Sequence, residues 1–241
     1  MTVNIKNMFS LPAGIALFLD FDGTLASFQD NPEKVYLDKR QINLLLRLNQ
    51  HLDGALAIIS GRDIQDLSKR VPRTLWRIGQ HGLYVAPPSQ EFCESVAGFS
   101  PELLQTITSI TTEFKGVWVE HKGPILTIHH RANALAANDI ITALTPLIST
   151  EDGLVLQAGY NILEIKPKDA NKGLAIERQM NFETFKGRIP VMIGDDATDE
   201  DGFIATQKLG GFGVKIGVGK TAALYRLDQI DDLYTLLGTL I

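Results

Sequence analysis

Acidic residues directly follow two short apolar segments of the sequence. Asp20 and Asp22 come after the apolar run 15–19, and five acidic residues lie between positions 195 and 201, after the run 191–193. The carboxyl ends of parallel strands share one edge of a sheet, where ligands bind. Carboxylates gathered there are costly to bury unless they are paired or bound to a cation. The pattern therefore predicts an oxygen-ligand site of the kind that Mg²⁺ prefers.

Each acidic segment also has an ordinary structural explanation. Asp20-Phe21-Asp22-Gly23 can be a turn with acidic caps, and acidic residues are favoured in the first turn of a helix. The second explanation suits Asp199, Glu200 and Asp201 well. It suits Asp195 and Asp196 poorly, because both stand at the exit of the apolar segment rather than inside the predicted helix.

A hydroxyl and a lysine stand at two further turns. Ser60 ends the apolar run 55–59, and a hydroxyl beside the free N–H groups of a helix start can hold phosphate oxygens. Lys172 begins a predicted helix over 172–180, where a cation is unfavourable, which suggests a nearby anion. For either residue alone, the ordinary explanations are a helix cap for Ser60 and a solvated side chain for Lys172.

The order of predicted elements places these turns on one sheet. Buried strands and helices alternate up to residue 85 and again from residue 169, which is typical of a mostly parallel sheet covered on both faces. Between them, an α-β-β-α-β-β order predicts an α+β unit, reached through Pro87-Pro88-Ser89-Gln90. We therefore expect a doubly wound α/β core of residues 1–85 plus 169–241, with an inserted α+β cap of residues 86–168.

Composition limits the functions that this chain can have. The 241 residues are 44% hydrophobic and 21% charged, as in globular proteins of one or two domains. A net charge of −5 argues against nucleic-acid binding, and the single cysteine, Cys93, excludes an intramolecular disulfide. The sequence has no run of membrane-spanning length and no leader pattern in Met1–Asn7. We expect a cytoplasmic protein without a membrane or nucleic-acid partner, and no motif indicates an obligate protein partner.

In combination, the four turns resemble the pattern of the haloacid-dehalogenase-like phosphatases. That pattern is Asp-x-Asp-Gly-Thr, a hydroxyl at a second strand end, a lysine, and Gly-Asp-Asp-x-x-Asp. Between about residues 16 and 219, the chain is also similar to the trehalose 6-phosphate phosphatase family; Phe21 stands where many bacterial relatives have leucine. The segments that carry this similarity are Ile59-Ser60-Gly61-Arg62, Gly79-Gln80-His81-Gly82, Glu120-His121-Lys122-Gly123, His129-His130-Arg131, Glu164-Ile165-Lys166-Pro167, Asn171-Lys172-Gly173 and Gly194-Asp195-Asp196-Ala197-Thr198-Asp199-Glu200.

The resemblance implies a role for each core residue. Asp20 is the nucleophile that forms an aspartyl phosphate, Asp22 is the general acid and base, and Ser60 and Lys172 hold the phosphate oxygens. Magnesium is the implied cofactor, and the cap is implied to recognise the disaccharide. The resemblance implies that Asp20, the backbone carbonyl of Asp22 and Asp195 bind the metal directly, with Asp196 or Asp199 behind them. The predicted metal site as a whole is Asp20, Asp22, Asp195 and Asp196.

Charged residues of the cap alternate along its predicted strands. Glu120 and Lys122 share a strand face, as do Glu164 and Lys166, and Arg131 ends the strand between them in sequence. By themselves they favour a solvated sheet with cross-strand ion pairs; the family likeness favours a sugar-binding face. The substrate-binding set predicted with the resemblance is Arg62, His81, Glu120, Lys122, Arg131, Glu164, Lys166 and Asp199.

The expected activity is the magnesium-dependent hydrolysis of trehalose 6-phosphate to trehalose and phosphate. Three alternatives remain open at this point. The same core could act on another sugar phosphate, such as a sucrose or mannosyl phosphate. The protein could be a non-catalytic sugar-phosphate binder, although binding alone needs no nucleophile. It could also be a phosphomutase that passes the phosphoryl group to a second sugar hydroxyl.

Overall fold

The computed structural model describes residues 14–29, 31–90, 98–159 and 161–241, so Met1–Asn7 and Cys93 lie outside the described part, as does the side chain of Lys122. The chain divides into two compact units. The larger unit combines Met1–Cys93 with Asn171–Ile241, and the smaller unit is Glu94–Ala170. No helix in the described part of the chain has both the length and the apolar character needed to span a bilayer.

The strands form one sheet in each unit. The larger sheet has the order β11-β10-β9-β1-β2-β3-β4, in which only the β3–β4 pair is antiparallel among the described pairs. The smaller sheet has the order β5-β6-β8-β7 and is antiparallel. The strands in chain order are β1 (Ile15–Leu19), β2 (Leu56–Ile59), β3 (Trp76–Gly79), β4 (Tyr84–Ala86), β5 (Trp118–Lys122), β6 (Ile125–His129), β7 (Leu154–Gly159), β8 (Ile162–Pro167), β9 (Ile189–Gly194), β10 (Phe212–Ile216) and β11 (Tyr225–Leu227).

Several of the described helices begin at residues whose side chains cap them. Asp38 caps the first helix by accepting from Gln41 N–H, while the side chain of Gln41 accepts from Asp38 N–H. Asn171 caps the helix that begins at Lys172, through a hydrogen bond from Leu174 N–H. The α-helices in chain order are α1 (Lys39–His51), α2 (Ile64–Arg70), α3 (Pro101–Thr112), α4 (Ala137–Thr150), α5 (Lys172–Gln179), α6 (Glu200–Lys208) and α7 (Ile230–Gly238).

The centre of the larger sheet is buried on both faces. Every residue of β1, β2, β3 and β10 is buried, which requires cover on each side of the sheet. On one side, Phe18 stacks on Phe185 with ring centroids 5.5 Å apart. The mostly parallel, helix-covered sheet confirms the predicted α/β fold class. It also aligns the carboxyl ends of β1, β2 and β9, where the predicted chemistry lies.

The residues of segment 76–85 are strand-like and predict one strand, but the structure interrupts it. Gln80 and His81 have left-handed backbone angles, with φ of 48° and 56°, and a short 3₁₀ helix separates β3 from β4. The interruption has a tertiary cause, since Gln80 N–H donates to Arg62 O and His81 N–H donates to Ser60 O. The alternation of apolar and polar residues along this segment cannot indicate hydrogen bonds to a separate turn.

The predicted linker is attached to the larger unit. Arg77 is buried in β3, and its guanidinium donates to the carbonyl oxygens of Pro87 and Gln90, at 2.9 and 2.8 Å. Ala86 pairs with Arg77 in the core sheet. The sheet therefore includes residue 86, which we had predicted as the start of the inserted cap.

In the smaller unit, two helices pack on one face of the antiparallel sheet. The apolar cluster there contains Ile107 of α3, Ile140 of α4, and Leu126 and Ile165 of the sheet. We call the side of this sheet that is turned away from α3 and α4 its open face, although Ile125, Thr127 and Lys166 on that side are buried. Cross-strand pairing places three rows of side chains on the open face. They are Trp118, His129 and Ile162; Glu120, Thr127, Glu164 and Gln157; and Ile125, Lys166 and Val155.

Candidate active site

Asp20 follows β1 at the centre of the larger sheet. Its N–H donates to Ile193 O of β9, and the residue is only 4% exposed. Three residues later, Gly23 adopts φ +84° and lets the chain turn back on itself. A Cβ at Gly23 would lie 2.3 Å from Asp195 Oδ2, so only glycine permits this approach. Thr24 then donates a 3.1 Å hydrogen bond to Asp195 Oδ1.

The loop after β9 is held by one buried carboxylate. Asp199 Oδ2 accepts from the N–H groups of Asp195 and Asp196, at 2.9 and 3.0 Å. Carboxylate oxygens of Asp20, Asp195 and Asp199 lie within 4.8 Å of one another. The two acidic segments identified in the sequence therefore meet at one place. We predicted Asp199 as a substrate contact, but the structure buries it completely and uses its oxygens inside the site.

Lys172 is the cation of this cluster. Its Nζ donates to Asp20 Oδ1 at 2.7 Å and to Asp199 Oδ1 at 2.6 Å, and the residue is 2% exposed. Burial opposes its charge, but the carboxylates of Asp199 and Asp20 outweigh burial and raise the pKa of Lys172 well above its ordinary value. Lys172 is therefore protonated, and it compensates part of the negative charge.

Burial and the remaining negative charge make Asp20, Asp195 and Asp199 harder to ionise. Burial raises the pKa of Asp20 well above its ordinary value, although Lys172 lowers it. Burial, with the neighbouring charges of Asp199 and Asp196, raises the pKa of Asp195 to about 7. A divalent cation would relieve this repulsion, and the donors are all oxygen atoms. The residues present therefore fit Mg²⁺.

Ser60 and Arg62 lie at the neighbouring strand end, after β2. Ser60 is buried, and its Oγ accepts from Arg62 N–H at 3.1 Å. The guanidinium of Arg62 donates to both oxygens of Asp22, from Nε at 2.7 Å and Nη2 at 2.6 Å. Its Nη1 also donates to Asp66 at 2.9 Å. Arg62, which we predicted as a substrate contact, thus uses its donors on Asp22 and Asp66.

His81 covers the turn that contains Ser60. A Cβ built on Gly61 would lie 2.6 Å from His81 Cε1, so the imidazole ring rests directly on the glycine. The left-handed conformations of Gln80 and His81 cost energy, and such strain persists where surrounding contacts impose it. His81 therefore stands beside the phosphate-binding turn predicted from the sequence, and its role as a substrate contact stays a prediction.

The charged residues predicted in the cap occupy the smaller unit. Glu120 and Glu164 lie in the same row of the open face, on either side of Thr127. Lys166 is on the same face and is buried, whereas only the backbone of Lys122 is described. Arg131 is exposed and begins a 3₁₀ helix over Arg131–Ala136, after β6 has ended at His129. We had predicted Arg131 at the strand end.

Comparison with known proteins decides the family. The sequence profile named trehalose-phosphatase matches residues 18–231. This chain belongs to the trehalose-phosphatase family. The trehalose-6-phosphate phosphatase of Escherichia coli strain K12 is 32% identical over 240 residues, which cover 98% of this chain and 90% of that protein.

Solved structures resemble this fold across both units. The C-terminal domain of a C. albicans trehalose-6-phosphate phosphatase aligns with a TM-score of 0.81 at 23% identity, covering 98% of this chain and 94% of the other. The C-terminal domain of a Candida albicans trehalose synthase regulatory protein aligns with a TM-score of 0.73 at 15% identity, covering 97% and 96%. At these identities the structural likeness extends only to the fold, so function has to be argued from the residues of the site.

Two residues near the site were missed by the sequence interpretation. Thr24 fixes one oxygen of Asp195, as described above. Lys215 is a buried lysine of β10, and its Nζ donates to Asp195 O, so it holds the backbone of the acidic loop. A signal for Lys215 was present, because a lysine within the apolar segment 212–216 must find a partner. Thr24 and Lys215 therefore both orient Asp195.

Proposed function

We propose that this protein hydrolyses trehalose 6-phosphate to trehalose and phosphate, with Asp20 as the nucleophile. The observation that carries the proposal is the position of Asp20, at the end of β1 with Lys172 on one carboxylate oxygen and Asp195 beside it. Membership of the trehalose-phosphatase family supports the substrate class. A protein that only bound a sugar phosphate would have no need for a buried, lysine-paired carboxylate at this strand end.

In the first step, the oxygen of Asp20 that does not bind Lys172 attacks phosphorus. The phosphorus–oxygen bond to the sugar breaks, and the sugar oxygen receives a proton from Asp22. Asp20 then carries the phosphoryl group as an acyl phosphate. Because Asp22 is engaged with Arg62, it has to exchange at least one of those hydrogen bonds for a bond to the sugar oxygen.

In the second step, water attacks the phosphorus and the bond to Asp20 breaks. Asp22 takes the proton from the water, so phosphate leaves and both aspartates return to their starting states. Ser60 Oγ and Lys172 Nζ are the donors proposed for the phosphate oxygens. Lys172 serves this role without losing its proton, since its carboxylate neighbours hold its pKa high.

Mg²⁺ is the cofactor that these residues would hold. The proposed ligands are Asp20, the carbonyl oxygen of Asp22 and Asp195. Asp196 is a further candidate, whereas both oxygens of Asp199 already accept hydrogen bonds within the site. When bound, Mg²⁺ supplies positive charge that offsets the repulsion between an anionic nucleophile and an anionic phosphate. Asp199 is a positioning residue in this proposal, because it orients Lys172 and the loop at Asp195.

The smaller unit is proposed as the sugar-recognising cap. Carboxylates on its open face can accept hydrogen bonds from sugar hydroxyls, and Lys122 and Lys166 can donate to sugar oxygens. In the proposal, Glu120, Glu164 and Arg131 also bind the sugar. This assignment is independent of the phosphate chemistry, which uses residues of the larger unit alone.

A phosphate-release screen tests the proposed function. Purified protein is assayed with trehalose 6-phosphate, sucrose 6-phosphate, a mannosyl phosphate and p-nitrophenyl phosphate, each with Mg²⁺ and with a chelator. We expect Mg²⁺-dependent phosphate release with trehalose 6-phosphate preferred, and none from the Asp20→Asn variant. A preference for another sugar phosphate would change the assigned substrate and leave the proposed phosphate chemistry intact. Binding without release, or isomerisation without release, would reject the hydrolase.

A further inference from the structure

The most exposed ring on the open face lies flat on a second ring. Trp118 of β5 and His129 of β6 are cross-strand partners, with ring centroids 3.8 Å apart and an interplanar angle of 8°. Trp118 nevertheless remains 55% exposed. One face of the indole is therefore covered by the imidazole, and much of the remaining surface is open to solvent. Tryptophan combines a large apolar surface with a polar N–H group and is enriched at interfaces.

His129 is fixed from its other side. Its Nε2 lies 2.9 Å from Glu120 Oε2, and Glu120 is the neighbour of Trp118 on the same strand face. The hydrogen bond and the stacking contact together restrain the imidazole ring in two directions. Because the imidazole of His129 is itself restrained, it holds the ring of Trp118 in place. Less conformational entropy is then lost when a ligand binds.

The next row of the open face contains groups suited to hydroxyl ligands. Thr127 lies between Glu120 and Glu164 in the cross-strand register. Its Oγ1 is buried and has no hydrogen-bond partner within the described part of the chain. A buried hydroxyl without a partner is costly, and a hydroxyl of a ligand would satisfy it. An aromatic surface therefore adjoins a row of polar groups.

We propose that Trp118, supported by His129, is a specificity-determining residue that packs against one ring of the sugar. This inference rests on the proposed function, because the sugar is that of the sugar phosphate. In trehalose the glycosidic oxygen is axial on one face of each glucose ring. Because the hydroxyls at C2, C3 and C4 are equatorial, the opposite face carries only axial C–H groups. Such a face suits the negatively polarised face of an indole. An axial hydroxyl would place an oxygen against the indole, so the contact favours glucose over its axial epimers.

Steady-state kinetics tests the role of Trp118. Trp118→Leu keeps an apolar side chain suited to a strand but removes the flat ring, and Trp118→Phe restores a smaller ring. For trehalose 6-phosphate, we expect Trp118→Leu to raise KM about three- to tenfold, with Trp118→Phe in between. The kinetics of p-nitrophenyl phosphate should not change. Leu135→Ala is the matched control, since Leu135 is 92% exposed in the same unit but lies outside the sheet.

Fluorescence gives a second measurement on protein that cannot turn over. Trp76 and Trp118 are the two tryptophans of the chain, and Trp76 is buried against Phe182 and Phe185. Trehalose 6-phosphate should change the emission of Asp20→Asn, and this change should be absent from Asp20→Asn/Trp118→Leu. Persistence of the change in the double variant would overturn the proposal.

The two proposals fail in different ways. If wild-type protein cleaves trehalose 6-phosphate and Trp118→Leu matches it, Trp118 has no role in specificity while the proposed function stands. Equal losses on both substrates would likewise overturn the role of Trp118, since p-nitrophenyl phosphate has no sugar ring. If the wild type cleaves only another sugar phosphate, the proposed substrate is wrong. Trp118→Leu is then assayed on that sugar, with the same expected rise in KM.

Discussion

Lys172 donates a 2.7 Å hydrogen bond to Asp20 although the two residues are separated by 152 positions in the sequence. Both residues are buried, so this ion pair is largely removed from water. Removing one partner of a buried pair leaves an uncompensated charge, which is more costly than the net value of the pair. Lys172 therefore contributes to the stability of the site as well as to phosphate binding.

Lys172→Met should destabilise the metal-free protein. Without the ammonium group, Asp20 and Asp199 are left buried beside each other, and we expect a loss of about 3–5 kcal/mol in the free energy of unfolding. Urea denaturation at pH 8 in a chelator measures this loss. The loss should shrink at pH 5.5, where protonation of the carboxylates relieves the repulsion.

Lys186→Met is the matched control for this substitution. Lys186 pairs with Glu183 at 3.4 Å, but both side chains are exposed. A solvated pair contributes little, so the free energy of unfolding should change by less than about 1 kcal/mol. Equal effects of the two substitutions would contradict the role assigned to Lys172.

The pH dependence of metal-free stability follows from the raised carboxyl pKa values. Burial raises the pKa of Asp20 and of Asp199, and burial with nearby carboxylates raises that of Asp195 to about 7. In the unfolded chain these groups titrate near pH 4. The folded protein thus retains protons that the unfolded chain releases. Stability from this source is complete below about pH 4 and is lost as the pH rises through 7.

Mg²⁺ should reverse this loss. The cation binds the ionised carboxylates, so it should raise Tm more at pH 8 than at pH 5.5, where it competes with protons. Thermal unfolding at both pH values measures the difference. Asp195→Asn should abolish the Mg²⁺ shift and flatten the pH dependence. An equal Mg²⁺ shift at the two pH values, or an undiminished shift in Asp195→Asn, would refute the proposed metal site.

Arg62→Lys tests whether the guanidinium positions Asp22. An ammonium group cannot reproduce the two-point contact with a carboxylate, so Asp22 should be poorly oriented for proton transfer. Turnover of trehalose 6-phosphate, whose leaving group is a sugar alkoxide, should fall by up to about 100-fold. Turnover of p-nitrophenyl phosphate should fall much less, because its leaving group hardly needs a proton.

Arg70→Lys is the control for this comparison. Arg70 binds the same Asp66 as Arg62, at 2.7 Å, but its other hydrogen bonds go to the backbone carbonyl oxygens of Glu33 and Val35. It should leave the ratio of the two substrate rates unchanged. A uniform loss in Arg62→Lys on both substrates would assign Arg62 to folding or to phosphate binding instead.

Glu164→Ala separates recognition from chemistry. Glu164 lies on the open face of the smaller unit, and loss of a hydrogen bond to an ionised group is worth about 1.5–3 kcal/mol. We expect kcat/KM for trehalose 6-phosphate to fall roughly ten- to a hundredfold, with p-nitrophenyl phosphate hardly affected. Asp139→Ala, an exposed change in α4, serves as the control. If the kinetics of Glu164→Ala are unchanged, the charged residues of the open face are those of an ordinary solvated sheet and do not bind the sugar.

Local sequence patterns predicted the strand ends that carry the core site. The apolar run before Asp20 became β1 with the predicted limits, and Asp38 and Asn171 cap helices as their residue types indicate. These features depend on neighbours within a few positions. Strand order therefore predicted that Asp20 and Asp195 lie at one edge of the sheet, whereas the roles of these residues and of Lys172 were implied by the family resemblance.

Features that depend on distant partners could not be predicted in this way. Charge pattern alone did not reveal that Arg62 would bind Asp22, or that Asp199 would use both oxygens inside the site. The left-handed Gln80 and His81 break a predicted strand because of bonds to another turn. In each case the determining contact joins segments that only the folded sheet brings together.

In the proposed mechanism, the phosphoryl group passes through a covalent bond to Asp20. Wild-type protein turning over trehalose 6-phosphate with Mg²⁺ is quenched in acid, reduced with borohydride and digested. Reduction converts an aspartyl phosphate to homoserine, which mass spectrometry locates in the peptide. We expect homoserine at position 20, and none when substrate is omitted. An unmodified Asp20 during full turnover, with homoserine at another aspartate such as Asp195, would contradict the mechanism.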